Sequence, residues 1–63
     1  MPIIHVHLME GRSDELKEAL IGAITDAAAD TLGARRDSVR VLLHELPTSH
    51  FGIGGQSAKA LGR

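Results

Sequence analysis

The chain has 63 residues, a formal net charge of −1 and no cysteine. This composition excludes disulfides, and the nearly balanced charge gives no reason to expect nucleic acid or an anionic membrane surface as a partner. A domain this short buries only about 60% of the surface that its unfolded chain exposes. With Phe51 as its one aromatic residue, we expect a single domain over residues 1–63 that gains stability by self-association.

The apolar runs of the chain are short. None approaches the about 20 residues that a membrane-spanning helix needs, and the first residues lack the basic stretch and apolar core of a signal peptide. We therefore expect a cytoplasmic protein with no membrane partner.

The first predicted element is a strand from Pro2 to Met9. Its side chains alternate with a period of two, which is typical of a strand. One predicted face carries Ile4, Val6 and Leu8, and the opposite face carries Ile3, His5, His7 and Met9.

The second predicted element is a helix from Asp14 to Leu32. Apolar residues recur at helical spacing and predict a stripe on one side of it, made of Leu16, Leu20, Ala23, Ile24, Ala27, Ala28, Thr31 and Leu32. Ser13 is placed to cap the first turn, and Gly33 is placed to end the helix in the left-handed conformation.

The third predicted element is a strand from Ser38 to Leu46, ended by Pro47. Two strands joined by a 19-residue helix pair in parallel through a crossover connection. The sequence therefore predicts an α/β chain, with a β-α-β unit whose helix covers one face of the sheet. Gly52, Gly54 and Gly55 then predict a short C-terminal β-hairpin.

The second face of this sheet keeps apolar side chains with nothing in the chain to cover them. Parallel sheets are normally covered on both faces, so we expect other copies of the chain to cover Ile3, Met9, Leu42 and Leu46.

Pro2 follows the initiator methionine, and small residues at this position generally permit removal of that methionine. Pro2 then begins the chain as a free secondary amine, which titrates closer to neutrality than lysine and can act as a general base. The alternative is structural, because proline is also tolerated at the first position of a strand.

Four segments together resemble the 4-oxalocrotonate tautomerase (2-hydroxymuconate tautomerase) family. They are Pro2, the run EGRSDE from Glu10, SVRV from Ser38 and HFGIGG from His50. The resemblance covers essentially the whole chain. It implies a β-α-β fold with a C-terminal hairpin, a homo-oligomer assembled as a homohexamer (a trimer of dimers), and catalysis by the amino-terminal proline without a cofactor.

The resemblance also implies roles for single residues. Pro2 matches the catalytic base, Arg12 matches the arginine that binds the distal carboxylate, and Arg40 matches the arginine at the 2-oxygen and C1 carboxylate. Phe51 matches a hydrophobic wall, and Leu8 and Met9 are further candidates to line the substrate site. The substrate expected is a small dicarboxylate such as 2-hydroxymuconate.

Elementary chemistry agrees with these roles. Guanidinium groups bind carboxylates bidentately and stay charged at all relevant pH values, so two arginines suit a diacid. Each arginine also has a structural reading. Arg12 is otherwise a solvated residue near a helix start, and Arg40 is otherwise an interface charge paired with a carboxylate such as Glu45 of a neighbouring chain.

Two alternatives to this function stay open at the level of sequence. The tautomerase superfamily also contains proline-based decarboxylases and dehalogenating hydratases. Separately, His5, His7 and His44 lie on one predicted sheet face and could bind zinc or another metal in a non-catalytic module, or simply fill subunit contacts. Arg35 and Arg36 are either a solvated pair or an additional anion contact.

Overall fold

A computed structural model describes all 63 residues of the chain. The central unit is a two-stranded sheet with one long helix, and a small hairpin follows it. In chain order the elements are β1 (Ile3–Met9), α1 (Asp14–Leu32), a 3-10 helix (Arg36–Ser38), β2 (Arg40–Leu46), a second 3-10 helix (Thr48–His50), β3 (Gly52–Ile53) and β4 (Gln56–Ser57).

The strands β1 and β2 pair in parallel along their whole length, as the sequence predicts. Ile3 lies opposite Arg40, and Met9 lies opposite Leu46. One further backbone hydrogen bond extends the pairing at each end, from the N–H of Arg40 to the carbonyl of Pro2 (3.0 Å) and from the N–H of Glu10 to the carbonyl of Leu46 (2.9 Å).

The helix α1 begins and ends at the residues that its capping signals predict. The Ser13 hydroxyl accepts a hydrogen bond from the N–H of Leu16 at 3.2 Å, which satisfies one of the free donors of the first turn. At the other end Gly33 has φ 67°, and its N–H donates to the carbonyl of Ala29. This left-handed residue ends the helix, as glycine does at little steric cost.

The second strand begins later than predicted, because Ser38 lies in the 3-10 helix Arg36–Ser38 and not in β2. Both the N–H and the hydroxyl of Ser38 donate to the carbonyl of Arg35, at 3.0 and 2.7 Å. A serine that hydrogen-bonds locally favours a turn over a strand ladder, and this explains the shorter strand.

The C-terminal hairpin is confirmed. Strands β3 and β4 pair antiparallel, with Ile53 opposite Gln56, and the two residues between them, Gly54 and Gly55, have φ of 59° and 88°. A two-residue turn with positive φ at both positions matches the twist of the strands, and glycine adopts it without strain. Ala58 follows the hairpin fully buried, with its N–H donating to the Phe51 carbonyl at 2.7 Å.

The two faces of the β1–β2 sheet differ as predicted. The face toward α1 carries half-buried Ile4, Val6, Leu8, Val41 and Leu43 together with Glu45. The opposite face, here called the uncovered face, has no helix over it. Its residues are Ile3, His5, His7, Met9, Arg40, Leu42, His44 and Leu46.

The apolar stripe predicted on α1 is only partly turned toward the sheet. Leu20, Ile24 and Ala28 are half-buried, but Leu16 and Leu32, at the ends of the helix, are 61% and 66% exposed. A two-stranded sheet is too narrow to cover a wide helical stripe, so part of that stripe stays in contact with solvent.

The chain alone is open in shape. Only Ala29, Val39 and Ala58 are buried, and the accessible surface is 4554 Å², against about 3,900 Å² expected for a folded monomer of this mass. The radius of gyration of 14.6 Å likewise exceeds the about 11 Å expected for a compact domain of this length. Separately, no helix of the chain is both long enough and apolar enough to cross a membrane.

Candidate functional site

Pro2 and Arg40 lie side by side at the end of the sheet where both strands begin. The carbonyl of Pro2 accepts the 3.0 Å hydrogen bond from the N–H of Arg40. Strand alternation places the Pro2 ring on the side of Ile4 and the Arg40 side chain on the uncovered face. The structure therefore brings these two residues to one edge but directs their side chains to opposite faces.

The Arg40 guanidinium has no carboxylate partner. Its Nη1 donates to the Asp37 carbonyl at 2.7 Å and contacts the Val39 carbonyl at 3.4 Å, so Nη2 and Nε keep their donors free. Glu45, its possible partner in a structural reading, is hydrogen-bonded to Lys17 of the same chain at 3.1 Å. The group that orients Arg40 is a backbone carbonyl of the 3-10 helix, for which the sequence has no signal.

Arg12 lies at the opposite end of β1, past the turn at Gly11, whose φ is 125°. Its Nη1 donates to the Met9 carbonyl at 3.3 Å, and the residue is exposed. It also has no acidic partner among the ion pairs of the chain. Like Arg40, Arg12 therefore presents a guanidinium that is held at one nitrogen and free at the others.

Arg35 and Arg36, for which the sequence leaves open a solvated pair or an anion contact, both form ion pairs within the chain. Arg35 pairs with Asp37 at 3.0 Å, and Arg36 pairs with Asp26 of α1. Two guanidiniums in this region thus already have carboxylates, whereas those of Arg12 and Arg40 do not.

The predicted site residues do not meet within one chain. The seven residues of β1 span about 20 Å at 3.3 Å per residue, and Pro2 and Arg12 lie beyond its two ends. Phe51, 36% exposed, follows the end of the sheet where Arg12 lies. The chain alone has no pocket, so a ligand bound by both Pro2 and Arg12 needs more than one copy.

Leu8 and Met9, the further candidates for the lining, are neighbours at the Arg12 end of β1. Both are half-buried, but alternation turns Leu8 toward α1 and Met9 to the uncovered face. They can therefore line one site only if it extends around the end of the strand.

Lys17 ties α1 to β2. Its ammonium group lies 3.1 Å from a Glu45 carboxylate oxygen and 3.3 Å from one of Asp14, and the hydrogen bond to Glu45, followed by that to Asp14, raises the pKa of Lys17. Sequence reasoning missed this contact. Its signal was Glu45 itself, a carboxylate on an otherwise apolar strand face, where a charge needs a partner.

The three histidines predicted to share a face do so, and they are stacked. The ring of His44 lies 5.0 Å from that of His5 and 4.8 Å from that of His7, with interplanar angles of 13° and 18°. No group of three or more histidine, cysteine, aspartate or glutamate side chains is arranged to hold a metal ion.

Comparison with known proteins defines the class. Residues 2–61 match the family described as tautomerase enzyme. Over the full length of both chains, the sequence is 56% identical to the 2-hydroxymuconate tautomerase of Stutzerimonas stutzeri. The chain therefore belongs to the tautomerase enzyme family, as its sequence motifs indicate.

Solved structures agree with this assignment and with the fold. A 4-oxalocrotonate tautomerase isozyme from Methylibium petroleiphilum superposes with a TM-score of 0.93 at 47% identity, covering 98% of this chain and 100% of the other. A heterohexamer 4-oxalocrotonate tautomerase from Chloroflexus aurantiacus superposes with a TM-score of 0.91 at 34% identity, covering 97% and 98%.

Proposed function

We propose that this chain is a cofactor-independent tautomerase that converts a 2-hydroxydienoate diacid, such as 2-hydroxymuconate, to the conjugated 2-oxo acid. The observation that carries the proposal is the pair of guanidiniums at Arg12 and Arg40. Both lack carboxylate partners, although Arg35 and Arg36 nearby are paired. The relative from Stutzerimonas stutzeri, named 2-hydroxymuconate tautomerase, supports the choice of substrate.

Pro2 acts as the base in this proposal, once Met1 has been removed and its nitrogen is a free amine. An α-amine titrates close to neutrality, and in the proposed oligomer the guanidiniums that bind the substrate favour its unprotonated form further. The amine takes the proton of the 2-hydroxyl group and returns a proton to carbon 5. The dienol becomes a conjugated ketone with no net gain or loss of atoms.

The two arginines bind the ends of the diacid. Arg40 engages the 2-oxygen and the C1 carboxylate, and Arg12 engages the distal carboxylate, so both stabilise the charge that spreads over the dienolate. Fixed donors aimed at developing charge lower the barrier, because they need no reorganisation during the reaction. In this proposal Phe51, Leu8 and Met9 supply apolar surface that strengthens these electrostatic effects.

This site requires self-association. A six-carbon diacid is about 8 Å long, whereas Pro2 and Arg12 of one chain lie beyond opposite ends of a strand about 20 Å long. We propose a homo-oligomer, a homohexamer built as a trimer of dimers, in which the Pro2 end of one copy meets the Arg12 end of another. The excess surface and the open shape of the single chain support association.

The direct test is the ketonisation of 2-hydroxymuconate, followed by absorbance. Intact mass first establishes that Met1 is absent from the purified chain. We expect Pro2→Ala to lose most activity. Arg40→Gln and Arg12→Gln should each lower kcat about a hundredfold or more, and Arg12→Gln should raise KM as well. Arg36→Gln is the matched control, because Arg36 is already paired with Asp26, and it keeps native kinetics.

Two results would contradict the proposal. Native turnover in the Pro2→Ala variant would remove Pro2 from the mechanism. Unchanged kinetics in both the Arg12 and the Arg40 variants would remove the diacid as substrate, and a panel of related decarboxylase and dehalogenase substrates would then be the next assay.

A further inference from the structure

The histidine stack on the uncovered face is not used by the proposed mechanism. His44 lies between His5 and His7 in the stack, and the Nδ1 atom of His5 lies 2.8 Å from the Nε2 atom of His44. His5 and His7 are exposed in the single chain, and His44 is half-buried.

The short nitrogen–nitrogen distance limits the number of protons in the stack. A neutral imidazole has one N–H donor and one acceptor nitrogen, whereas a protonated imidazole has two donors. A hydrogen bond between His5 and His44 therefore requires one of the two rings to be neutral. If both were protonated, two N–H groups and two positive charges would face each other across this contact.

Nothing on the uncovered face offsets such charge. Its other members are apolar except Arg40, a further cation. Glu45 belongs to the face toward α1, where it pairs with Lys17, and Asp37 pairs with Arg35.

The groups beyond the ends of the strands do not change this balance. Arg12 adds positive charge, and exposed Glu10 lies past the last residue of β1. Because no carboxylate projects from this face, protonation of the stack produces uncompensated repulsion.

We infer that the uncovered face is a contact surface for a second copy of this chain that closes when the histidine stack is uncharged and opens when it is protonated. The inference rests on the proposed self-association. The second copy is the occupant because the chain as a whole exposes about 650 Å² more than a folded monomer of its mass, an area of the order that one partner buries in a stable interface. Ile3 and Leu42, 53% and 40% exposed, supply apolar area within the face.

The sign of the pH dependence follows from the number of protons bound. Separated copies hold their imidazoles in water and bind more protons at low pH than copies whose imidazoles are enclosed. Association therefore weakens as pH falls and the stack gains protons. Each proton taken up on separation raises the dissociation constant by up to about tenfold for every unit that the pH falls. If each copy of a pair takes up one proton, the dissociation constant rises by up to about a hundredfold per pH unit.

The experiment measures the mass of the native chain in solution by light scattering after size exclusion. It uses pH 8, 7, 6 and 5 at one protein concentration and one ionic strength. The matched variant is His5→Gln with His7→Gln and His44→Gln, which keeps polar side chains of similar length but cannot become charged. His50→Gln is the control, because His50 lies in the 3-10 helix Thr48–His50, outside the uncovered face.

We expect the native chain and the His50→Gln control to be oligomeric at pH 8 and to dissociate between pH 7 and 5, and the triple variant to stay assembled at pH 5. A native oligomer whose mass stays constant from pH 8 to pH 5 would overturn this inference and leave the proposed function intact. A native chain that is monomeric at pH 8 would overturn the proposed self-association itself. The single variant His44→Gln, which removes the central ring, checks the conclusion if the triple variant does not fold. Dissociation of His44→Gln over the same pH range and to the same extent as the native chain would also overturn the inference.

Discussion

Two inactive variants of this chain should restore each other when they assemble together. Pro2→Ala removes the proposed base at one end of the sheet, and Arg12→Gln removes a guanidinium beyond the other end. Because β1 separates these positions by about 20 Å or more, one substrate molecule cannot contact both in the same chain. In the proposed oligomer, each site takes Pro2 from one copy and Arg12 from another.

The expected yield follows from random mixing. When equal amounts of the two variants unfold and refold together, each site draws its Pro2 and its Arg12 independently from the two kinds of chain. Roughly a quarter of the sites then contain both native residues, whatever the symmetry of the interface. The mixture should show about a quarter of native turnover, whereas each variant refolded alone should show almost none.

The assay is the ketonisation rate of 2-hydroxymuconate after joint refolding from denaturant. The control is the same two variants refolded separately and then combined, which tests whether subunits exchange without unfolding. Persistent inactivity of the jointly refolded sample, at a mass showing that oligomers have formed, would refute the reasoning, because it would mean that each site is built within a single chain.

Two further predictions concern stability, both measured by thermal unfolding at equal protein concentration. Gly33→Ala should destabilise the chain by about 1 kcal/mol, because Gly33 has φ 67°. Gly22→Ala, inside α1, should stabilise the chain by about 0.5–1 kcal/mol, because no atom lies within 4 Å of the added methyl group. A loss of equal size in both variants would contradict the role of φ. The contact of Lys17 with Glu45 raises the pKa of Lys17 above 10.5, so its stabilising effect is present below pH 10.5 and is lost as pH rises through the raised pKa. Lys17→Met should therefore lower the melting temperature at pH 8 and flatten its decline at alkaline pH, and an unchanged alkaline decline would assign that decline to other groups.

Local signals were enough to predict most of the fold. Ser13 and Gly33 mark the helix ends because each supplies a capping geometry that depends only on its neighbours. The Gly54–Gly55 pair predicts its turn for the same reason. The parallel pairing follows from the length of the helix between two alternating strands.

The errors and omissions have three separate physical causes. The alternating pattern continues through Ser38 and predicts a strand there, but the Ser38 hydroxyl donates to the Arg35 carbonyl and closes a turn. The pairing of Lys17 with Glu45 joins positions far apart in sequence, which periodicity does not reveal. Leu16 and Leu32 were expected to face the sheet, yet a sheet of two strands does not cover them.

For the candidate site, the sequence proposes residues but not their arrangement. Residue chemistry and the family resemblance point to Pro2, Arg12 and Arg40, but these residues lie at separate ends of one chain. In the proposed oligomer they meet through contacts between copies, and a single sequence contains no measure of those contacts. The carbonyl groups of Asp37 and Met9 that hold the two guanidiniums also belong to the backbone, so no residue type indicates them.

The near-absence of an interior has a consequence for dosage. A chain that buries only three of its residues by itself obeys mass action if its copies associate as proposed. Halving its abundance then removes more than half of the competent assemblies whenever the concentration lies near the dissociation constant. The total turnover of the proposed oligomer therefore falls faster than the concentration of the chain. Dilution alone is then enough to lower its activity.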